Sequence, residues 1–246
     1  MEKETYDLLY NTEETYWWFI GQRYLLRNVL KRYVDKKNPI RLVDVGCGTG
    51  MNVKVLSEFG HAEGVDIADE AIAFCKKKGV KVTKSDVIDL KLKDNTYDVV
   101  TELGVFYHEK VTDDLKAMKE LHRTMKSGGT LFFFDCAMMS LFGKHDKAFH
   151  GVRRYSKKEL KSKLESAGFT VERISYINSF LFPFVYIKRK LEKLSNTPPK
   201  SEVNEKLNPT INTILKMIYK TEIWLGQYIN YPFGINIYVV GRKKNV

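Results

Sequence analysis

Between residues 40 and 136 the spacing of apolar positions switches repeatedly between two rhythms. Short runs of strand formers end at Val45, Ile67, Lys84 and Val100, and the turn Met125–Thr130 leads into a fifth run. Apolar residues at helical spacing fill the intervals near 51–59, 69–78 and 112–125. Gly60 and Gly79 follow the first two of these helices, where a left-handed residue ends a helix at little cost. Such alternation predicts a parallel sheet covered on both faces, with ligands at the carboxyl ends of its strands.

The flanks follow different patterns. Leu25, Leu26, Val29, Leu30 and Tyr33 make the apolar stripe of a predicted helix from Gly21 to Val34, preceded by a loop rich in aromatics, Tyr16-Trp17-Trp18-Phe19. After Cys136, a loop with two histidines and the run Gly151-Val152-Arg153-Arg154-Tyr155 precedes Ser156-x-x-Glu159, a capping box that opens a helix to Ala167. Thr170–Ile177 and Ile235–Gly241 read as further strands.

Between those two strands lie about 55 residues where a hairpin would do. If Pro183 opens a helix, Phe184, Ile187, Leu191 and Leu194 share one face and Lys188, Arg189 and Lys193 another. The stretch breaks at Pro198-Pro199, and a second helix begins at Asn208-Pro209. The expectation is one domain over 1–246, with an N-terminal lid region over 1–36 and a mobile helical cap over 180–232. The basic, apolar-faced cap helix suits packing over a pocket or peripheral contact with an anionic membrane.

Composition narrows the class. With 246 residues and 43% hydrophobic content the chain supports one full-size domain with an appendage. The charged start Met1-Glu2-Lys3-Glu4 lacks a signal-peptide core, and no apolar run approaches a bilayer span, so a cytoplasmic location is expected. Three cysteines, at 47, 75 and 136, lack metal-ligand spacing and argue against a zinc site. The net charge of +11 invites a polyanionic partner, although much of it is lysine scattered over predicted helix faces.

The chemistry concentrates in Asp44-Val45-Gly46-Cys47-Gly48-Thr49-Gly50. Glycines at 46, 48 and 50 let a ligand pack against bare main chain and allow left-handed dihedrals. The spacing is neither a dinucleotide nor an NTPase phosphate loop. Asp44 puts a carboxylate at the strand end where a cation could be held, and Asp66 lies about 20 residues beyond the loop, where dinucleotide folds place a ribose ligand. With Ser85-Asp86-Val87, Tyr97-Asp98-Val99-Val100 and Met125–Leu131, five motifs fall in order over residues 41–135. This set resembles the class I S-adenosylmethionine-dependent methyltransferases, of the type 11 and ubiquinone/menaquinone methyltransferase-like kind. Glu14-x-x-Trp-Trp-Phe-x-Gly-x-Arg and the later Arg-Arg-Tyr-Ser resemble a bacterial and archaeal subgroup.

The resemblance implies a Rossmann-like, seven-stranded α/β sheet whose last strand runs antiparallel between the fifth and sixth, with S-adenosyl-L-methionine as cofactor. Its contacts would fall to Trp18, Arg23, Asp44, Gly46, Cys47, Gly48, Gly50, Asp66, Ile67, Asp86, Val87, Glu102 and Leu103, with Asp86 facing the adenine amine and Arg23 reaching the cofactor carboxylate. Methyl transfer needs alignment more than a strong catalyst, and a base only where the acceptor must lose a proton. His108 and His150 are the candidates for that base, and Tyr107, Arg153, Arg154 and Tyr155 for the acceptor pocket. Paired arginines can fork a carboxylate or phosphate, or can be pinned to a local acid such as Asp146.

No Asn/Asp-Pro-Pro-Tyr follows the fourth strand, which argues against a nucleic-acid base as acceptor. The expected acceptor is a small molecule with an apolar body, with or without an anionic group. An RNA methyltransferase and a non-catalytic cofactor-binding module are the alternatives.

Overall fold

The computed structural model describes residues 3–34, 40–194, 198–199, 201–203 and 207–244. Parts of the expected lid and cap regions, at 1–2, 35–36, 195–197, 200 and 204–206, lie outside them.

Two helices open the chain, α1 (Lys3–Thr12) and α2 (Trp17–Tyr33). Then come β1 (Arg41–Val45), α3 (Met51–Leu56), β2 (His61–Asp66), α4 (Asp69–Lys77), β3 (Val82–Lys84), β4 (Tyr97–Leu103), α5 (Asp114–Thr124) and β5 (Met125–Cys136). After a short 3-10 turn follow α6 (Lys144–Ala148), α7 (Lys157–Ser166), β6 (Phe169–Ile177), α8 (Phe182–Glu192), α9 (Pro209–Leu225) and β7 (Asn236–Lys243). The seven strands form one sheet in the order β3-β2-β1-β4-β5-β7-β6. Strands one to five pair in parallel, and β7 inserts antiparallel between β5 and β6, as the resemblance implies.

Phe132, Phe133 and Phe134 are fully buried in succession, which a strand achieves only in mid-sheet with both faces covered. Helix ends follow local chemistry: Ser156 accepts a hydrogen bond from the Glu159 amide, Asp113 from the Lys116 amide and Asn208 from the Thr210 amide.

The N-terminal region departs from expectation. The aromatics Trp17, Trp18 and Phe19 form the first turn of α2 rather than a loop, and α1 is an additional helix. Tyr16, the N-cap of α2, makes no side-chain cap. The Trp17 amide donates instead to Asn212 Oδ1 of α9, 2.8 Å away. A tertiary contact thus supplies the partner that a local cap normally provides.

The cap departs too. Pro183 does start a helix and Phe184, Ile187, Leu191 and Leu194 do share a face, but that face is turned to solvent and does not roof a pocket. Leu181, Val185 and Arg189 of the same segment line the cavity below.

Candidate active site

β1 ends in a loop whose three glycines all have positive φ: 74° at Gly46, 52° at Gly48 and 86° at Gly50. A β-carbon on Gly46 would strike Val105, whereas one on Gly48 or Gly104 would meet nothing within 4 Å. Bare main chain at Gly48 and Gly104 therefore borders open space, and two cavities share those two residues, Gly46 and Tyr107. The smaller, ≈ 110 Å³, lies over the ends of β2 and β3 against Asp66, Ile67, Asp86 and Val87. The larger, ≈ 280 Å³, lies over the glycine loop, β4 and β5, under α2 and α8.

Asp66 is buried, with Oδ2 accepting from the Gly48 amide at 2.9 Å and Oδ1 from the Ala68 amide at 3.0 Å. The carboxylate braces the glycine loop and still faces the smaller cavity. Burial pushes its pKa up, against those amide bonds. Asp86 accepts from the Ile88 amide at 3.1 Å, and Tyr6 of α1 closes the same cavity. Open main chain, a buried acid and a second acid along one groove fit an adenosine whose sulfonium end reaches the larger cavity.

Asp44 lines neither cavity. It is 1% exposed, and Oδ1 accepts from the Thr101 hydroxyl at 2.6 Å. Burial pushes the Asp44 carboxyl up to about 7, partly opposed by Thr101 and Asn52. The hydrogen bond from Thr101 ties the end of β1 to β4 behind the loop, out of both cavities. Trp18, Arg23, Cys47 and Leu103 line the larger cavity, whereas Gly50 lines neither. Arg23 donates to the Glu13 carbonyl, and the Glu13 carboxylate takes Thr49 and Lys78, tying the α1–α2 connection to the glycine loop. Glu102 likewise holds main chain: Oε1 accepts from the Val105 amide at 2.6 Å in the turn after β4. Burial, with Asp135 nearby, pushes its pKa well up.

The candidate bases are displaced from the larger cavity. His108 lines only the smaller one, where Nδ1 accepts from the Lys110 amide at 3.1 Å and burial lowers its pKa to about 4. His150, with positive φ, faces Glu109 at 3.0 Å and lines neither cavity. The Arg153–Tyr155 run does not converge on one pocket: of its three side chains, Arg154 alone lines the larger cavity. Arg153 turns back to the Phe106 carbonyl at 2.8 Å, and Tyr155 is fully buried with its hydroxyl on Asp114 at 2.8 Å. Extended backbone throws neighbouring side chains to opposite sides, so adjacent residues rarely share a pocket. Arg154 and Tyr107 do line the larger cavity.

The pin to Asp146 that the sequence offered for the paired arginines is made by Arg154, and nothing in the sequence marked Arg189 as sharing it. Asp146 of α6 accepts from Arg154 at 2.7 Å and from Arg189 of α8 at 2.8 Å, with all three residues buried. Arg189 also reaches the Leu141 carbonyl and, at 2.9 Å, Glu202, whose amide donates to His145 Nδ1 at 3.0 Å. Among the described residues, Arg189 Nε and Gln22 Nε2, both on residues lining the larger cavity, make no hydrogen bond. Arg189 had read as one of a row of surface cations. Its neighbours Lys188 and Lys190 are exposed, and only the helical rotation separates them.

Residues 43–133 match the family model described as "Methyltransferase domain". The mouse protein named "Probable tRNA methyltransferase 9B" is 30% identical over 111 residues, covering 44% of this chain. The chain spans only 25% of that protein's length. Demethylmenaquinone methyltransferase of Staphylococcus aureus (strain JH9) is 27% identical over 169 residues, 54% of this chain and 69% of that one. A solved methyltransferase from Archaeoglobus fulgidus superposes with TM-score 0.57 at 21% identity, covering 90% of this chain and 94% of that one. Phosphoethanolamine N-methyltransferase 2 of Haemonchus contortus, solved with S-adenosyl-L-methionine, gives 0.58 at 18% identity, covering 89% and 52%. With the glycine loop and the strand order, these likenesses identify residues 43–133 as a methyltransferase domain and support a class I S-adenosylmethionine-dependent methyltransferase fold.

Proposed function

We propose that the protein transfers a methyl group from S-adenosylmethionine to a small molecule with an apolar body and an oxygen-bearing or anionic end. The observation that carries this reading is the larger cavity, whose lining joins Trp17, Trp18, Phe134, Leu181 and Val185 to two buried guanidiniums, Arg154 and Arg189. Apolar walls with a few convergent polar groups suit a compact organic ligand. Arg189 Nε, without a hydrogen-bond partner among the described residues, offers a donor that an acceptor oxygen would satisfy.

In the cofactor groove, Asp66 and Asp86 would take the ribose and the adenine amine, Ile67 and Val87 the faces of the base, and Arg23 the carboxylate of the amino-acid end, with Asp44 supporting the glycine loop from behind. The cofactor supplies a sulfonium methyl group open to in-line displacement. The chain's part is alignment and exclusion of water: Tyr107 and Gly104 sit where the two cavities meet, and Trp18 and α8 close the acceptor side. His145 lines the acceptor cavity, but its Nδ1 is occupied by the Glu202 amide and burial lowers its pKa to about 4. That ring is a poor proton acceptor, so the cavity favours an attacking atom that is already unprotonated.

RNA as acceptor is the second reading, supported by the +11 charge and by what the mouse relative is named for. The test incubates the protein with labelled cofactor and fractionated host extract and identifies the labelled product by mass. A methylated apolar small molecule is the expected product; label recovered only in RNA would overturn the first reading, and cofactor binding without turnover on any fraction would overturn both.

A further inference from the structure

The cap helix α8 presents two opposed faces. Leu181, Val185 and Arg189 look into the acceptor cavity, while Phe184, Ile187, Leu191 and Leu194 stand 72%, 59%, 61% and 84% exposed. At about 100° per residue the exposed four fall within an arc of roughly 80°, and Lys188 and Lys190 flank it, each about 40° from an edge. Helix α9 carries a second exposed row, Ile211, Ile214, Met217 and Trp224, followed by Tyr228 and Ile229. Isolated exposed apolar residues need no explanation, but a sustained row on each of two helices does.

The charges on these helices are one-sided. Arg189 and Glu222 are buried, and Glu192 is half-buried with its carboxylate 3.6 Å from Lys188. Among the described residues of α8 and α9, and the C-cap Lys193, the exposed charged side chains are all lysines: Lys188, Lys190, Lys193 and Lys220. A second copy docked face to face would set these lysines against their own kind, between chains each carrying +11. An anionic lipid surface accepts both features at once, the apolar row entering the headgroup–acyl boundary and the lysines meeting the phosphates.

We propose that the solvent face of the cap, centred on Phe184, Ile187, Leu191 and Leu194, docks the protein on an anionic phospholipid membrane surface. The helix that walls the acceptor cavity is then the one that rests on the bilayer, so a lipid-dissolved acceptor would be met at the roof of its site. The inference stands on surface geometry and charge and does not require the acceptor reading to hold.

The test is co-sedimentation of the full chain with vesicles of phosphatidylcholine, with and without phosphatidylglycerol. The expected result is binding to the phosphatidylglycerol vesicles that weakens more than tenfold on raising the salt from low to moderate. Phe184→Asp with Leu191→Asp should weaken it more than tenfold, and Lys190→Glu with Lys193→Glu should weaken it by several-fold. S-adenosylhomocysteine affinity, measured on each variant, should be unchanged and shows that the fold is intact. Absence of binding by the wild type at low salt, or binding untouched by the Asp substitutions, overturns the proposal. So does a concentration-dependent dimer in sedimentation equilibrium that the same Asp substitutions abolish.

Discussion

The ring of Tyr219 lies against the bare Cα of Gly21, so closely that a β-carbon on residue 21 would sit 2.0 Å from its Cδ1. This contact seats α9 on α2, and Trp17 packs edge-on against the same ring at 5.8 Å between centroids. Asn212 completes the joint, accepting from the Trp17 amide and donating to the Thr15 carbonyl, each at 2.8 Å. Helix α2 and the insertion are therefore one packed unit over the acceptor side, although the residues that join them lie 195 positions apart.

Gly21→Ala should overpack this joint at a cost of about 1–3 kcal/mol. Thermal unfolding should fall by roughly 2–4 °C for each kcal/mol lost. Adding Tyr219→Leu to that background should recover part of the loss, and strict additivity of the two changes would show that the ring is not the obstacle.

Asp66→Ala should weaken S-adenosylhomocysteine binding strongly in isothermal titration, because it removes a cavity-facing carboxylate and the acceptor that the Gly48 amide uses. Asp86→Ala should weaken it less, since that side chain braces only its own turn. An Asp66→Ala affinity equal to the wild type's would remove this carboxylate from the cofactor site.

Arg189→Gln keeps a hydrogen-bonding tip but loses the charge paired with Asp146 and Glu202. Acceptor KM should rise by tenfold or more with cofactor affinity nearly constant. Arg153→Gln, whose parent side chain only caps the Phe106 carbonyl, should leave acceptor KM within about twofold, on the scale of a surface substitution. Equal effects of the two variants would contradict the assignment of roles.

Acid should loosen the cap in two steps. Burial lowers His145 from 6.5 to about 4, so its neutral ring is the form the fold accepts, and stability is lost as pH falls from about 6.5 towards 4. Burial would raise the Glu202 carboxyl, but Arg189, His145 and Lys188 outweigh it and hold it at about 2. Its contribution is present above about 4.5 and lost as pH falls towards 2. Urea midpoints should decline through both windows, and Glu202→Gln should flatten only the lower one.

The sheet and the glycine loop at its centre were legible in the sequence because each is built from local signals. Strand, glycine turn and helix follow one another within 41–56, Asp66 closes β2, and Asp86 follows the end of β3 by two residues. The acceptor side was not, because its contacts join distant segments. α1 buries only Tyr6 and Thr12, too little to mark a helical stripe. The start of α2 depends on Asn212, and the outward face of α8 could be known only after Arg189 was seen turned inward to Asp146. Adjacent Arg153 and Arg154 read as a pair, yet backbone alternation gives them separate tasks.

Asp146 joins the loop after β5 to the cap by accepting from Arg154 and Arg189 together, out of contact with water. A hinge that lifted α8 away from α6 would strand a buried guanidinium and carboxylate, at a cost of about 3–5 kcal/mol. Thermal fluctuation alone would rarely open such a latch. An anionic acceptor able to take one guanidinium as the carboxylate lets go would replace the lost pairing as it formed, so the group that identifies the right molecule would also be the key that admits it.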